Sequence, residues 1–180
     1  MVYVLLGTGF EEIEALTPVD LLRRAGVQVR TVGLNGKIVY GGHAIGVEAD
    51  MTIEELDVRD AEMIVLPGGL GGVASIRGCE KALAAVKAVY DSGKYVAAIC
   101  AGPTVLADLG LLSGVRATCY PGQIPNMKDA LVVENAACVT DGKVITGTSA
   151  GTAVPFALAL IEALKGPEAA KAIADQIVIR

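Results

Sequence analysis

Tryptophan is absent from the 180 residues, and the chain has only one His, at position 43. Its four Cys stand far apart, at 79, 100, 119 and 138, and no two of them form a C-x-x-C pair. A zinc site built from Cys and His needs several such residues at close spacing, so the sequence predicts no metal site. Widely spaced cysteines are typical of free thiols in a reducing compartment, and we therefore expect a cytoplasmic protein.

Basic stripes and long apolar runs are also missing. The net charge is -5, and Arg23-Arg24 is the densest basic pair. Such a chain lacks the electrostatic footprint of a nucleic-acid-binding protein. The longest apolar helical stretch, 152–164, is too short to cross a bilayer, and the first residues show no basic segment of a secretory signal. We expect neither nucleic acid nor membrane as a partner.

What the chain does have is apolar residues, which make up 53% of it. That share can build a large core, and the length predicts a single domain over residues 1–180. Short apolar runs alternate with amphipathic or capped segments, a pattern typical of a parallel sheet covered by helices on both faces. The predicted strands are 2–6, 27–32, 63–66, 95–99, 115–119 and 143–146, and the predicted helices are 17–25, 80–91, 103–109, 148–164 and 167–174.

Smaller elements are predicted between these. Asn35-Gly36 signals a hairpin turn, and short strands around Val39 and Ile45–Val47 fit a β-ribbon insertion. Thr17-Pro18 has the form of a helix start, although an earlier start would leave Pro18 inside the helix and free the Glu14 carbonyl. The end of the chain, 177–179, is predicted as a short strand or a packed tail.

Cys100 stands between a predicted strand and Pro103, a residue suited to a first helical turn. Ala98 and Gly102 lie two residues on either side, as a sharp strand-to-helix turn requires. This is the pattern of a nucleophile elbow with Cys in the usual place of Ser. A helix N-terminus aimed at the sulfur would favour the thiolate. The alternative is a buried, inert cysteine kept for packing.

Right-handed crossovers place the ends of parallel strands at one edge of the sheet, where ligands bind. We expect the Gly7–Glu14 loop, the Pro67–Gly72 loop and the Cys100 turn to meet there. A dinucleotide loop is disfavoured because the third glycine is missing after Gly9, and no P-loop lysine follows Gly72. The glycines of 67–72 favour an oxyanion-binding N–H, with a plain flexible loop as the alternative.

Several ordered motifs carry a resemblance that covers almost the whole chain. They are Gly9–Glu14, Pro18–Asp20, Arg23–Gly26, Leu66–Gly69, Ala98–Pro103 and Phe156–Ala159. With these the chain resembles the ThiJ/PfpI family of the class I glutamine amidotransferase-like superfamily. The resemblance implies an α/β fold, a flavodoxin-like three-layer sandwich with a mostly parallel sheet and a small β-ribbon insertion. It also implies a homodimer and chemistry without a cofactor.

The resemblance assigns roles by position. Cys100 is the nucleophile, Glu14 the neighbouring acid, and Gly69 and Ala101 the backbone donors to an oxyanion. Gly68 and Tyr120 are candidate substrate-binding residues. His43 falls near the family's dimer interface, where it either reaches a pocket or is exposed and inert.

The chemistry of that group can be argued from the residues themselves. A thiolate and an ionised carboxylate repel each other in a dry pocket. We therefore predict that Glu14 is protonated and donates to the Cys100 sulfur, with a raised Glu pKa and a lowered Cys pKa as two effects of one shared proton. The thiolate would attack an aldehyde carbon, Glu14 would move the proton, and two N–H groups would hold the alkoxide.

One departure from the family narrows the choice of reaction. Many relatives have His where this chain has Tyr120, so a Cys-His hydrolase lacks its base. We expect a glyoxalase or deglycase acting on a small-molecule aldehyde or a glycated adduct. The alternative is a redox-sensing stress-response or chaperone-like protein whose Cys100 is oxidised to the sulfinate. A thiol-dependent hydratase, amidase or peptidase is less favoured.

Overall fold

A computed structural model describes residues 1–179. A seven-stranded sheet forms its centre, with strands in the spatial order β10-β11-β7-β6-β1-β2-β5. All neighbouring strands in it are parallel except β10 and β11, which form an antiparallel hairpin. The strands are β1 (Val2–Leu6), β2 (Val29–Gly33), β5 (Met51–Thr52), β6 (Met63–Leu66), β7 (Tyr95–Ile99), β10 (Cys138–Asp141) and β11 (Val144–Gly147).

Two two-stranded sheets lie outside the central one. The first is the predicted antiparallel ribbon, formed by β3 (Ile38–Tyr40) and β4 (Gly46–Glu48). The second pairs β8 (Arg116–Ala117) with β9 (Leu131–Val132) in parallel. The prediction that 115–119 is a strand of the main sheet is therefore wrong. The edge strand β5 was not predicted, because two residues are too short to show a period.

Six helices cover the sheet. They are α1 (Glu12–Arg24), α2 (Leu70–Arg77), α3 (Glu80–Asp91), α4 (Pro103–Asp108), α5 (Ala153–Lys165) and α6 (Pro167–Gln176). Short 3-10 turns occupy Ile53–Glu55, Pro121–Asn126 and Ala150–Thr152. No strand or helix covers residues 177–179, so of the two predictions for this segment the strand is wrong.

Alternating side chains along the strands fill two separate cores. In β1, Tyr3 and Leu5 point to the face covered by α2, α3 and α4, whereas Val2, Val4 and Leu6 point to the face covered by α1, α5 and α6. These strand residues are all buried, as expected for a sheet covered on both sides. The result is the predicted flavodoxin-like three-layer α/β sandwich.

The first helix starts earlier than Thr17. It begins at Glu12, after an N-cap residue, Glu11, whose side chain makes no capping bond. The Glu11 N–H donates instead to Gly68 O at 3.0 Å, and this contact with the β6 loop fixes where the helix begins. Pro18 therefore lies inside α1, and the Glu14 carbonyl loses its helical donor. The alternative of an earlier start is the correct one.

The glycines after β6 form a helix rather than an open loop. Residues 70–77 are α2, and Gly71 and Gly72 lie in its first turn. A Cβ on Gly71 would lie 3.0 Å from Thr8 O, and one on Gly72 would lie 2.7 Å from Phe10 Cα. Because these positions lack a Cβ, α2 can pack directly against the loop after β1. Within residues 1–179, no helix is both long enough and apolar enough to span a membrane.

Candidate active site

Cys100 occupies a sharp turn at the end of β7. Its φ is +64°, a left-handed conformation that costs energy for a residue with a side chain. The surrounding backbone holds it there: the Cys100 N–H donates to Gly147 O at 3.0 Å, and the Cys100 carbonyl accepts from the Tyr120 N–H at 2.9 Å. The geometry is that of the predicted elbow.

The small residue after the turn is required by the packing. A Cβ on Gly102 would lie 2.5 Å from Leu66 O and 3.0 Å from Ile99 O. Such contacts would push the chain off the sheet edge. The Gly102 N–H also donates to Ile99 O at 2.9 Å, which closes the turn before Pro103 begins α4.

Glu14 lies in the first turn of α1 and is only 1% exposed. Its Oε2 accepts a hydrogen bond from the Gly68 N–H at 2.9 Å. The backbone of Ala150, in the 3-10 turn before α5, also favours the ionised form of this carboxyl. No sequence pattern pointed to Ala150, because a backbone group has no side-chain signature and Ala150 lies far along the chain from Glu14.

The Glu14 and Cys100 side chains meet over Gly68. A Cβ at position 68 would collide with Glu14 Oε2 and would lie 2.7 Å from Cys100 Cβ. The missing side chain of Gly68 therefore leaves the room in which the Glu14 carboxyl approaches the Cys100 thiol. The loop residue contributes a donor to the carboxyl and, by lacking a side chain, permits the contact.

Burial raises the pKa of Glu14 to about 7, although its hydrogen bonds with Cys100 and the Gly68 N–H oppose the shift. The raised pKa has the predicted direction, and the protonation of Glu14 with donation to the sulfur stays a prediction. Burial also raises the pKa of the Cys100 thiol, to about 12, and the negative charge of Glu14 adds to the effect. The prediction of a lowered Cys100 pKa is thus wrong, because burial and then the like charge of Glu14 both disfavour the thiolate.

Between the pKa of Glu14, about 7, and that of Cys100, about 12, this pair holds one proton. With the proton on sulfur, Glu14 is ionised; with the proton on Glu14, Cys100 is a thiolate and the charge repulsion is gone. Hydrogen bonds from the Ala101 and Gly69 backbones lower the pKa of the thiol and favour the second state. Thiolate formation at Cys100 therefore requires the carboxyl to hold the proton.

Gly69 and Ala101 place their N–H groups at the sulfur because of the local backbone. Gly69 has φ +81°, and a Cβ there would lie 2.5 Å from Gly9 O and 2.6 Å from Glu11 N. Only glycine fits this close approach without strain. Ala101 follows the elbow directly and is buried. Gly69 follows β6 and Ala101 follows β7, so the two backbone groups reach Cys100 from the ends of neighbouring strands.

A cavity of about 270 Å³ opens above the half-buried Cys100. Its lining residues are Glu11, Gly69, Leu70, Cys100, Ala101, Tyr120 and Gln123. The structure thus brings four of the predicted site residues to one cavity. Glu11, Leu70 and Gln123 were not predicted. Glu11 stood in the quoted Gly9–Glu14 motif, so its position beside Glu14 was the signal that could have identified it.

Two predicted substrate-binding residues do not line the cavity. Gly68 turns its N–H to Glu14 instead. His43, 68% exposed, holds the ribbon against the start of α1, since its ring Nδ1 and its backbone N–H each lie 2.8 Å from a Glu12 carboxylate oxygen. Hydrogen bonding to Glu12 and the charges of Glu11 and Glu12 raise the pKa of His43.

Glu11, Glu12 and His43 are also the one group in residues 1–179 that gathers three possible metal-ligating atoms within 4.8 Å. The buried Glu12 carboxylate already has both oxygens paired with His43. Burial opposes ionisation of Glu12, yet the His43 hydrogen bonds lower its pKa. Glu12 and His43 thus form a hydrogen-bonded pair between α1 and the ribbon.

Comparison with known proteins places this geometry in a family. Residues 1–163 match the sequence model of the DJ-1/PfpI family. The chain is 35% identical over 178 residues to protein dj-1beta of Drosophila melanogaster, covering 98% of this chain and 95% of that one. It is 32% identical over 154 residues to a Pyrococcus abyssi protein named as a deglycase, covering 86% and 90% of the two chains.

Solved structures agree with the sequence comparison. An oxidised DJ-1 of Toxoplasma gondii superposes with a TM-score of 0.94 at 35% identity, covering 98% of this chain and 97% of that one. The crystal structure of Drosophila melanogaster DJ-1beta gives 0.95 at 34% identity, with 99% and 97% covered. By fold, by sequence and over nearly its full length, the chain belongs to the DJ-1/PfpI family.

Proposed function

We propose that the chain is a cofactor-independent enzyme of the glyoxalase/deglycase type, acting on reactive dicarbonyls or their adducts. Family membership supports a DJ-1-like function, and the Pyrococcus abyssi relative named as a deglycase supports this reaction class. The observation that carries the proposal is the buried Glu14 beside the half-buried Cys100, with two backbone N–H groups near the sulfur and a small cavity above it.

The first step is addition to an aldehyde. The Cys100 proton passes to the Glu14 carboxylate, and the thiolate attacks the aldehyde carbon of a 2-oxoaldehyde such as methylglyoxal. A C–S bond forms and the carbonyl electron pair moves to oxygen. The N–H groups of Gly69 and Ala101 hold this alkoxide until Glu14 returns the proton, which gives a hemithioacetal.

The second stage needs the same acid/base. The Glu14 carboxylate removes the proton from the carbon bonded to sulfur, and the ketone oxygen gains a proton, which gives an enediol. A proton then returns at the adjacent carbon while the hydroxyl on the sulfur-bearing carbon loses its proton. The former aldehyde carbon is thereby oxidised to a thioester and the neighbouring ketone is reduced to an alcohol, so no external oxidant is required. Water then cleaves the C–S bond, releasing the 2-hydroxy acid and the thiol.

Tyr120 narrows the range of reactions. Tyr120 lines the cavity and takes the place of the His that many relatives have, so a Cys-His hydrolase lacks its imidazole base. Amide hydrolysis by a hydratase, amidase or peptidase mechanism is accordingly disfavoured. The proposed addition and proton transfers use Glu14 and leave Tyr120 to position the substrate.

The test is formation of lactate from methylglyoxal. Cys100→Ser and Glu14→Gln should each lower kcat/KM by at least about a hundredfold, the scale of a lost nucleophile or general acid/base. Glu168→Gln, which neutralises an exposed carboxylate on α6, serves as the matched control and should behave as wild type. Turnover that survives in Cys100→Ser would contradict the proposal.

A second candidate function is redox sensing in a stress response. It is favoured by the accessible Cys100 sulfur beside a carboxyl that could hydrogen-bond a sulfinate. The Toxoplasma gondii relative was solved in an oxidised form, which supports the same chemistry. Negligible lactate formation by the wild type, together with rapid oxidation of Cys100 by peroxide, would favour the sensor over the enzyme.

We also propose that residues 1–180 act as one domain, that two copies form a homodimer, and that the protein works in the cytoplasm. The family resemblance and the absence of disulfide-forming spacing support these proposals. Light scattering during gel filtration tests the proposed homodimer directly. A mass near 18.4 kDa would indicate a monomer, and twice that mass would indicate a dimer.

A further inference from the structure

Arg77, the last residue of α2, joins the two helices that begin beside Cys100. Helix α2 has Gly69 as its N-cap, and α4 begins two residues after Ala101. The backbones of Gly69 and Ala101 are the ones that hydrogen-bond the Cys100 sulfur. The position of α2 relative to α4 therefore decides whether both groups can act on the same atom.

The Arg77 guanidinium bonds α4 at two points. Its Nε donates to Asp108 Oδ2 at 2.8 Å, and its Nη2 donates to Thr104 Oγ1 at 2.7 Å. Within residues 1–179, no other hydrogen bond joins α2 to α4. Because the guanidinium is a rigid planar fork, two such bonds fix the direction of approach as well as the distance.

The Thr104 hydroxyl carries this constraint to the Ala101 backbone. Thr104 is fully buried, and its Oγ1 donates to Ala101 O at 2.7 Å while it accepts the bond from Arg77. The Thr104 N–H donates to the same carbonyl at 3.2 Å. The two bonds fix the direction of the Ala101 carbonyl, and with it the backbone of a residue that contacts the sulfur.

The second partner of Arg77 is itself held in place. Asp108 Oδ1 lies 2.5 Å from Lys128 Nζ, so this carboxylate bridges two cations. Burial opposes ionisation of Asp108, yet its hydrogen bonds with Lys128 and Arg77 lower its pKa. A carboxylate that stays charged near neutral pH keeps the Arg77 guanidinium turned toward α4.

We propose that Arg77 is a positioning residue for the reaction at Cys100. Through Thr104 it fixes the Ala101 backbone, and as part of α2 it keeps that backbone in place relative to Gly69. This role rests on the proposed function, because the two backbone groups are those that would hold the alkoxide. The residues that line the cavity do not include Arg77, so its effect on the sulfur passes through Thr104 and α2.

Alkylation of Cys100 by iodoacetamide tests this role without relying on turnover. Arg77→Met keeps an unbranched alkyl chain and loses both bonds to α4. Misplacement of the two donors should slow alkylation about tenfold, because less of the thiol is then thiolate. The rate is measured by mass spectrometry of the Cys100 peptide.

Substitutions at Thr104 test the proposed route to Ala101. Thr104→Val removes the hydroxyl, so it should slow alkylation of Cys100 as Arg77→Met does. Thr104→Ser keeps the hydroxyl and should restore the wild-type rate. Equal rates in Thr104→Val and Thr104→Ser would mean that the hydroxyl plays no part, and the proposed route would be wrong.

Arg23→Met is the matched control. Arg23 also bonds a carboxylate and a second oxygen, since its Nη2 lies 2.6 Å from Asp50 Oδ2 and 3.3 Å from Val29 O. It lies in the last turn of α1, whereas Glu14 lies in the first. Both Arg variants should unfold at lower urea concentrations than wild type, but only Arg77→Met should alkylate slowly.

Lactate formation from methylglyoxal separates positioning from binding. Arg77→Met should lower kcat about tenfold with KM nearly unchanged, because the two donors act on the alkoxide rather than on the bound aldehyde. Wild-type alkylation in Arg77→Met, or equally slow alkylation in Arg23→Met, would overturn the positioning role. If wild type forms no lactate but Arg77→Met alone alkylates slowly, the proposed function fails and the positioning role stands. If lactate forms and Arg77→Met alkylates as wild type, only the positioning role fails.

Discussion

Cys100 and the pair Cys119 and Cys138 are the same residue type in three surroundings. Burial raises the pKa of Cys119 and of Cys138 to about 11. Cys100 reaches about 12, through burial and then the charge of Glu14. Judged by thiol pKa alone, Cys100 would be the least reactive of the three.

The surroundings differ in what can accept the proton. Cys119 donates to Tyr120 O at 3.3 Å, a carbonyl that cannot take the proton away. For Cys138, burial raises the pKa and only a hydrogen bond with the Val139 backbone opposes that rise. Cys100 alone faces a carboxyl whose pKa is near 7. The comparison shows that a buried thiol becomes reactive when a neighbouring base can accept its proton, rather than through a low pKa of its own.

The largest expected effect is selective modification of Cys100. Iodoacetamide or peroxide should modify it at least about a hundredfold faster than Cys119 or Cys138. Of these three thiols, only Cys100 lies beside a carboxylate that can accept its proton, and only Cys100 lines the cavity. Peptide mass spectrometry after short exposures measures the three rates in one sample. Comparable rates at Cys138 would end the distinction drawn between these thiols.

Removing the space at Gly68 should separate the pair. Gly68→Ala would push Glu14 Oε2 and Cys100 Cβ apart, and misplacement on this scale costs catalysis about tenfold to a hundredfold. Overpacking should also lower the free energy of unfolding by about 1–3 kcal/mol. Lactate formation and urea unfolding measure the two effects.

Gly78→Ala is the matched control for that substitution. Gly78 has φ -78°, and its nearest neighbour to an added Cβ would be Ala74 O at 3.5 Å, an ordinary contact. Wild-type turnover in this variant would show that the loss in Gly68→Ala comes from the site. If Gly68→Ala retained full activity, the contact between Glu14 and Cys100 would not be needed.

The elements that position Cys100 could be predicted from the sequence because they depend on local rules. A buried strand, small neighbours and Pro103 are all visible within nine residues. Helix α2 was missed because its glycines look like a loop, and only the packing of Gly72 against Phe10 shows why a helix needs them. Glu11 and Ala150 were missed because their roles arise from contacts between distant segments.

The pH dependence of stability should distinguish Glu14 from ordinary surface acids. Its pKa is about 7 in the folded chain and near 4.5 when unfolded, so the folded state holds the proton more tightly between these values. Its contribution to stability is therefore full below about pH 4.5 and is lost as the pH rises through 7.

Glu14→Gln removes that loss. Relative to wild type, the free energy of unfolding of this variant should rise by about 2 kcal/mol between pH 4.5 and pH 8. This figure is smaller than the pKa shift of Glu14 alone would give, because the titration of Glu14 is coupled to that of Cys100. Urea titrations at several pH values measure the difference, and Glu168→Gln should show no such trend. A constant difference across this range would mean that Glu14 is ionised in the folded protein throughout.

The smallest expected effect concerns Tyr120, which links two of the three thiols being compared. It follows Cys119 in sequence, but its N–H supports the Cys100 turn and its half-exposed side chain lines the Cys100 cavity.

Tyr120→Phe keeps the ring and the backbone contact and loses only the hydroxyl. We expect KM for methylglyoxal to rise about two- to fivefold with kcat nearly unchanged, the scale of one solvent-exposed hydrogen bond to substrate. Tyr120→Phe should leave the modification rate of Cys119 unaltered. A large fall in kcat would instead assign the phenol a proton-transfer role, and Glu14 would then no longer be the only acid serving Cys100.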